Sequence, residues 1–313
     1  MGRGIGFGKI ILYGEHFVVY GMPALAAGIA SKTEAFVSRT KQLGWTLDDC
    51  RPEVFGYKKK KKDEHNASIE LVLNSAGIDL SESGIHIELE GDLVCASGFG
   101  ASAASCVSLA RALNDEFNLG FDDEKINEIG YEGEKGSHGT PSGIDNTAST
   151  YGGLVWFVRN LSGGPPTFER LKLKGSGYLT IAATGITAST TKVVGDVRAR
   201  KEENPEWFEN IADEYKKLVQ EARTALLQFD VKRAGELMNR NHELLQDLTV
   251  SCKELDDLVE IARLNGAIGS KATGTGRGGN MLALAPDKET QDQIAQALER
   301  SGSPFVYKTT FGL

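Results

Sequence analysis

Twenty-one of the 37 glycines in this 313-residue chain stand in four windows, residues 2–21, 95–104, 130–153 and 266–279. A typical chain holds about 7% glycine, and an excess gathered this way constrains the fold more than any other feature. Glycine crowds where the backbone must bend sharply or come close to a ligand. Backbone N–H groups in such loops, set at the start of a helix, form a cradle for phosphate. Tight turns alone are the plain alternative. The 8 prolines are too few for a Gly/Pro linker protein.

The rest of the composition is that of a globular chain long enough for two domains. A net charge of −8 argues against a nucleic-acid or anionic-membrane partner, whose footprint would be basic. No apolar run of about 18 residues is present, so no membrane span is expected. The start, Met1-Gly-Arg-Gly-Ile-Gly6, holds no leader-like apolar stretch and no myristoylation pattern. Phe311-Gly312-Leu313 is not a peroxisomal address. Cys50, Cys95, Cys106 and Cys252 are dispersed, without a Cys-x-x-Cys pair. Packed thiols in a reduced, cytoplasmic protein are expected rather than zinc or disulfides.

Hydrophobic periodicity organises the chain. Lys9 to Leu12 and Phe17 to Tyr20 read as strands around a tight turn, followed by β-prone runs at Ala24 to Ala30 and Thr33 to Ser38. The lysine block Lys58 to Lys62 reads as a solvated loop, with a nucleotide-contacting flap as the alternative. Ala67 to Ala76 is helical, and Ile85 to Glu90 alternates as a half-buried strand does. Gly98 to Ala104 opens a helix whose apolar positions run from Ala103 through Cys106, Val107, Ala110 and Leu113 to Phe117. Gly130 to Gly153 reads as a polar, glycine-rich loop before a strand, Leu154 to Val158. Ser162 to Pro166 is a turn cluster, and Tyr178 to Thr184 a further strand. Helices over 206–229, 231–248 and 253–265 follow, the first with Ile211, Tyr215, Leu218 and Ala222 on one stripe. Gly266 to Gly279 leads into the strand Asn280 to Ala285, a helix near 290–301 and a last strand over 305–311. The turn cluster and the shift toward helix place a domain change near 160–180.

The phosphate loop can be narrowed by elimination. A Walker A motif is absent, since Gly8-Lys9 is followed by Ile10 and Arg3 stands where its first glycine should be. Gly98 to Ala103 and Gly274 to Gly279 both match the dinucleotide pattern literally. The second precedes a strand, whereas that fingerprint opens a helix. The first follows an alternating strand, whereas a Rossmann strand is buried on both faces. What remains is a phosphate loop carrying a hydroxyl. Ser102, at the head of a helix, can ligate Mg²⁺ while the helix dipole favours anionic phosphates. A carboxylate is then needed, and the segment Glu132 to Asn146 is the best supplied.

These motifs resemble a known superfamily, that of galactokinase, homoserine kinase, mevalonate kinase and phosphomevalonate kinase (GHMP). Lys9-Ile-Ile-Leu-Tyr-Gly-Glu-His-Phe-Val-Val-Tyr-Gly21 is similar to its N-terminal signature, in the form of the mevalonate kinase branch. Ala96-Ser-Gly-Phe-Gly-Ala-Ser-Ala-Ala104 resembles the phosphate loop, and His138-Gly-Thr-Pro-Ser-Gly-Ile-Asp-Asn146 a second motif. Lys271-Ala-Thr-Gly-Thr-Gly-Arg-Gly-Gly279 resembles the C-terminal motif. All occur in family order and span most of the chain. Ile5 to Lys9, Thr147 to Gly153 and Gly185 to Lys192 look most like the trypanosomatid-type branch. Three departures stand out: Phe7 replaces a proline, Ala101 the first serine of the phosphate loop, and Arg277 a glycine of the last motif.

The resemblance implies an α+β, two-domain kinase. Residues 1–175 would form an N-terminal α/β domain like ribosomal protein S5 domain 2. Residues 176–313 would form a ferredoxin-like C-terminal domain, with ATP and substrate in the cleft between them. The implied reaction is ATP-dependent phosphorylation of the primary hydroxyl of mevalonate, in isoprenoid biosynthesis. Asp145 matches the catalytic aspartate, and Lys9 the lysine that would hold it ionised and stabilise charge in flight. Glu134 would share Mg²⁺ with Ser102. ATP would lie against Gly98, Phe99, Gly100, Ala101, Ser102 and Ala103, with Gly274 and Gly276 on the other side. His16, Glu15, Tyr151 and Thr187 are candidates for the acceptor, with Glu15 bracing the site as its other reading, and Arg159 would face the acceptor's carboxylate. Plainer roles stand beside these: a loop cap for Asp145, a strand-edge lysine for Lys9, a helix N-cap for Ser102, surface positions for the rest. A monomer or homodimer is expected. The rival readings are a kinase for phosphomevalonate, a sugar or homoserine; a non-catalytic ligand sensor; and a nicotinamide oxidoreductase.

Overall fold

The computed structural model describes residues 1–53, 56–95, 98–139, 141–164 and 166–312. Ala96, Ser97 and Thr140 of the expected motifs, Pro165 of the turn cluster and the terminal Leu313 lie outside the described residues. Packing divides the chain into two compact units: Met1–Ile10 with Gly28–Gly152, and Ile11–Ala27 with Gly153–Leu313. The division at 175/176 is kept as a proposal for the limits of the family domains; residues 153–175 pack with the second unit.

The first unit holds the start of β1 (Gly2–Tyr13), most of β2 (Ala24–Thr40), β3 (Trp45–Asp49), α1 (Tyr57–Lys60), α2 (Lys62–Ser75), β4 (Gly84–Gly91), α3 (Ala101–Phe117), α4 (Asp123–His138) and α5 (Ile144–Tyr151). β2 and β4 pair antiparallel from Thr33 opposite Gly91 to Thr40 opposite Gly84, and β3 joins β4 in parallel. Ile85, Ile87 and Leu89 face inward, as their alternation requires, against Ile69, Val72 and Leu73 of α2 and Val107 and Leu113 of α3.

Two of the glycine windows have a packing role here. Gly2, Gly4 and Gly6 are alternate residues on one face of β1. A Cβ at each would lie 2.3, 2.1 and 2.2 Å from the carbonyl oxygens of Ala112, Ser108 and Ala104. The strand therefore rests directly on the backbone of α3. On α4, a Cβ at Gly130 would meet Val107 at 2.8 Å, one at Gly133 would meet Val72 at 2.5 Å, and one at Gly136 the Ser68 backbone at 2.4 Å. Spaced by three, these glycines form a groove that α2 and α3 enter. The expected loop over 130–153 is thus helical in two stretches, the end of α4, whose Asp122 cap accepts from the N–H of Lys125, and α5 over Ile144–Tyr151.

The second unit holds β5 (Leu154–Val158), β6 (Thr167–Leu171), β7 (Gly177–Ala183), α6 (Thr190–Glu203), α7 (Pro205–Gln228), α8 (Val231–Asp247), α9 (Lys253–Leu264), β8 (Gly269–Thr273), β9 (Asn280–Ala285), α10 (Lys288–Arg300) and β10 (Val306–Phe311). Its antiparallel sheet runs β10-β7-β9-β8. In chain order that is fourth, first, third, second, the split arrangement of a ferredoxin-like fold, with α6 to α9 filling the first crossover. The stripe on α7 is buried as its period requires, and Tyr215 stacks on Phe17 with ring centroids 3.8 Å apart. The α+β fold is as expected.

Three local expectations are corrected. Phe17–Tyr20 is a 3₁₀ turn closed by Gly21 at φ 75, because Gly14 and His16 bend the chain just before it. The two short runs at 24–30 and 33–38 are one strand, β2, since no breaker separates them. The lysine block is helical, forming α1 and the start of α2, because Lys58 is anchored at its head.

Candidate active site

In the first unit the site begins with Lys9 on β1. Its backbone N–H donates to the carbonyl of Phe99 at 2.7 Å, fixing the loop of Gly98 and Gly100 to the strand. Both glycines take positive φ, 78 and 72, and Gly100 is the N-cap of α3. The first helical bond there runs from the N–H of Ala104 to Gly100. The N–H groups of Ala101, Ser102 and Ala103 precede that bond and suit an anion. Ala103 and Phe99 bury their side chains, so only their backbone can serve a ligand.

The buried Lys9 ammonium lies 2.6 Å from Oδ1 of Asp145. Asp145 stands in the first turn of α5. Ser102 donates its hydroxyl to Oε1 of Glu134 at 2.6 Å. Glu134 sits on α4 and is 1% exposed. Burial, and then the negative charge of Asp145, push its pKa up to about 7. The place therefore calls for a positive charge. Among the described residues no group of three or more His, Cys, Asp or Glu could hold a metal alone. Ser102 and Glu134 fit Mg²⁺ only in the way that ion prefers, as a few hard oxygens completed by phosphate.

These residues border a pocket whose far side the sequence announced only through its lysine block. Asp49, Arg51, Tyr57, Lys58, Lys61 and His65 line it together with Gly98, Gly100, Ser102 and Asp145. Asp49 and Arg51 form a two-pronged pair, at 2.9 and 2.7 Å, and Arg51 also reaches the carbonyl of Ala101 at 3.2 Å. Burial opposes the charge on Asp49, but the Arg51 guanidinium and Lys58 together hold its pKa down at about 2. Lys58 donates to the carbonyls of Asp49, at 2.7 Å, and of Arg51. Asp49 and Arg51 belong to no motif, and their pairing exists only after β3 forms. The lysine block was the one available signal.

In the second unit Glu15 and His16 follow β1. Glu15 accepts from the ammonium of Lys271 at 2.5 Å, and Nε2 of His16 lies 2.7 Å from the carbonyl of Thr275. Thr190 and Thr275 join hydroxyls at 2.6 Å. Gly274 has open space where a Cβ would stand, whereas Gly276 lies against the backbone of Val250. Arg277, in place of a glycine, takes φ 49, pairs with Asp196 and donates to the carbonyl of Thr249. Thr187 is exposed ahead of α6, and Arg159 is half-buried just past β5. Among the described residues neither bonds to Glu15 or His16. Tyr151 ends α5, six residues beyond Asp145, in the first unit.

Comparison with known proteins gives a consistent picture. The family description GHMP kinases N terminal domain matches residues 65–153, and GHMP kinases C terminal matches residues 222–303. The mevalonate kinase of Thermococcus sibiricus is 34% identical over 325 residues, covering 96% of this chain and 93% of that protein. The mevalonate kinase of Pyrococcus furiosus is 34% identical, with 95% and 93% covered. The crystal structure of L. major mevalonate kinase in complex with R-mevalonate superposes with a TM-score of 0.94 at 42% identity, over 99% of this chain and 96% of that one.

Proposed function

The chain belongs to the mevalonate kinases of the GHMP kinase family, and we propose that it moves the terminal phosphoryl group of ATP to the primary hydroxyl of mevalonate. The observation that carries this reading is the Lys9–Asp145 pair at 2.6 Å, in the same unit as the hydroxyl–carboxylate pair of Ser102 and Glu134.

Each role follows from the chemistry of phosphoryl transfer, which asks a protein mainly for positioning and charge stabilisation. Asp145, paired with Lys9 from the first turn of α5, takes the proton of the attacking hydroxyl at its carboxylate. Lys9 meets the negative charge that develops on the transferring group. The N–H groups of Ala101, Ser102 and Ala103 hold phosphate oxygens, with Gly98, Phe99 and Gly100 giving the loop its shape. Ser102 and Glu134 would hold Mg²⁺, which supplies neutralising charge to the phosphates when bound. Gly274 and Gly276 are assigned to ATP. Glu15, His16, Tyr151, Arg159 and Thr187 are assigned to the acceptor, the guanidinium of Arg159 suiting a carboxylate. Among the described residues no helix is long and apolar enough to cross a membrane. A cytoplasmic monomer or homodimer completes the reading.

The test is a coupled ADP-release assay with mevalonate, phosphomevalonate, galactose and homoserine, each with and without Mg²⁺. Mg²⁺-dependent turnover of mevalonate well above the other three is expected. Turnover of galactose or homoserine with none of mevalonate would overturn the substrate assignment.

A further inference from the structure

The C-terminal glycine motif also fastens the turn that follows β1. Lys271 and Thr273 are alternate residues on β8, so they share one face, and Thr275 follows them. Each bonds to the end of β1 or to the turn after it: the Thr273 hydroxyl to the carbonyl of Ile11, still within β1, at 3.3 Å, the Lys271 ammonium to Glu15 at 2.5 Å, and the Thr275 carbonyl to the His16 ring at 2.7 Å. All six residues belong to the second unit.

The turn needs such support. His16 has φ 63 and ψ −40, which an L side chain rarely adopts, and only surrounding contacts maintain a backbone like that. The Lys271 and Glu15 side chains are 0% and 1% exposed. Removing two charges from water is costly, and the gain from a buried pair lies in specifying a geometry more than in stability. That geometry leaves acceptors unused. Oε2 of Glu15 and Nδ1 of His16 are buried and have no hydrogen-bond partner. A carbonyl cannot donate, so the proton of His16 is on Nε2, facing Thr275, and Nδ1 presents its lone pair. Burial lowers the pKa of His16 and keeps the ring neutral in this form.

We propose that Lys271 is a positioning residue for acceptor binding: its ion pair with Glu15 holds the His16 turn so that Glu15 Oε2 and His16 Nδ1 stand ready to accept hydrogen bonds from a hydroxyl-bearing substrate. This rests on the assignment of Glu15 and His16 to the acceptor.

The test compares wild type with Lys271→Met and with Lys271→Gln, which keeps a donor for Glu15. Acceptor KM should rise at least tenfold in Lys271→Met, with ATP KM changed less than twofold, and Lys271→Gln should recover part of that loss. In ligand-free protein, the ¹⁵N spectrum of His16, assigned by its disappearance in His16→Gln, should show the Nε2–H tautomer in wild type. It should show a tautomer mixture in Lys271→Met. Where Lys271→Met does not accumulate as folded protein, the same two readouts on Lys271→Gln decide. An unchanged acceptor KM with an unchanged His16 spectrum overturns the proposal, as does an equal rise in both KM values. Wild type without mevalonate turnover would defeat the substrate assignment instead, and the His16 spectrum still tests Lys271.

Discussion

Asp145 and Lys9 illustrate how much a pair of residues can carry. The carboxylate, in the first turn of α5, lies 2.6 Å from the ammonium carried by β1. Asp145→Asn keeps the shape and removes the base. It should lower kcat by about 10²- to 10⁴-fold while ATP KM moves little, as steady-state kinetics would show. An unchanged kcat would reject the base role. His65 makes a different prediction. Burial, then the charge of Arg51, lower its pKa to about 4. The unfolded chain therefore takes up a proton near pH 6.5 that the folded chain refuses until about pH 4. Its contribution is complete above pH 6.5 and is lost as the pH falls from there toward 4, by at most about 1.4 kcal/mol per pH unit. Urea denaturation at pH 7 and pH 5 should show a smaller acid loss for His65→Gln than for wild type. Asp145, Lys9 and Ser102 were legible because each stands in a dense motif. Asp49 and Arg51 were not, because a two-pronged ion pair between residues two apart leaves no pattern in a chain where both types are common.

At the scale of elements, the seating of β1 on α3 matters most. Lys9 rides on one and Ser102 opens the other, and Gly2, Gly4 and Gly6 let the two backbones touch. A Cβ at position 6 would stand 2.2 Å from the Ala104 carbonyl oxygen, a contact no side-chain rotation relieves. Gly6→Ala should destabilise the fold by about 1–3 kcal/mol and lower kcat as well, since Lys9 is three residues further along the same strand. A denaturant titration paired with kinetics checks both, and wild-type values in each would show that the strand does not need this approach. The α4 glycines teach the same lesson. Read as loop residues, Gly130, Gly133 and Gly136 are the face on which two helices pack, and Glu134 stands on a rigid helix rather than a pliant loop. Glycine has two uses, open φ and absent volume, and a sequence does not say which is in play.

For the molecule as a whole, local pattern and long-range packing divided the information. Local pattern was enough for α7 to α10, though not for α6, and for β4, the helix after Gly100 and the family, because periodicity and motif spacing are properties of neighbouring residues. The family resemblance grouped Asp145 with Lys9, and the structure brings the two side chains to 2.6 Å. Which glycines bend the chain and which admit a neighbour was decided by contacts between residues about 100 apart, such as Gly6 with Ala104. The same holds for the union of Lys271 with Glu15, 256 residues apart. Such partners meet only after burial has excluded water and made an unpaired charge expensive, and that penalty has no trace in the sequence.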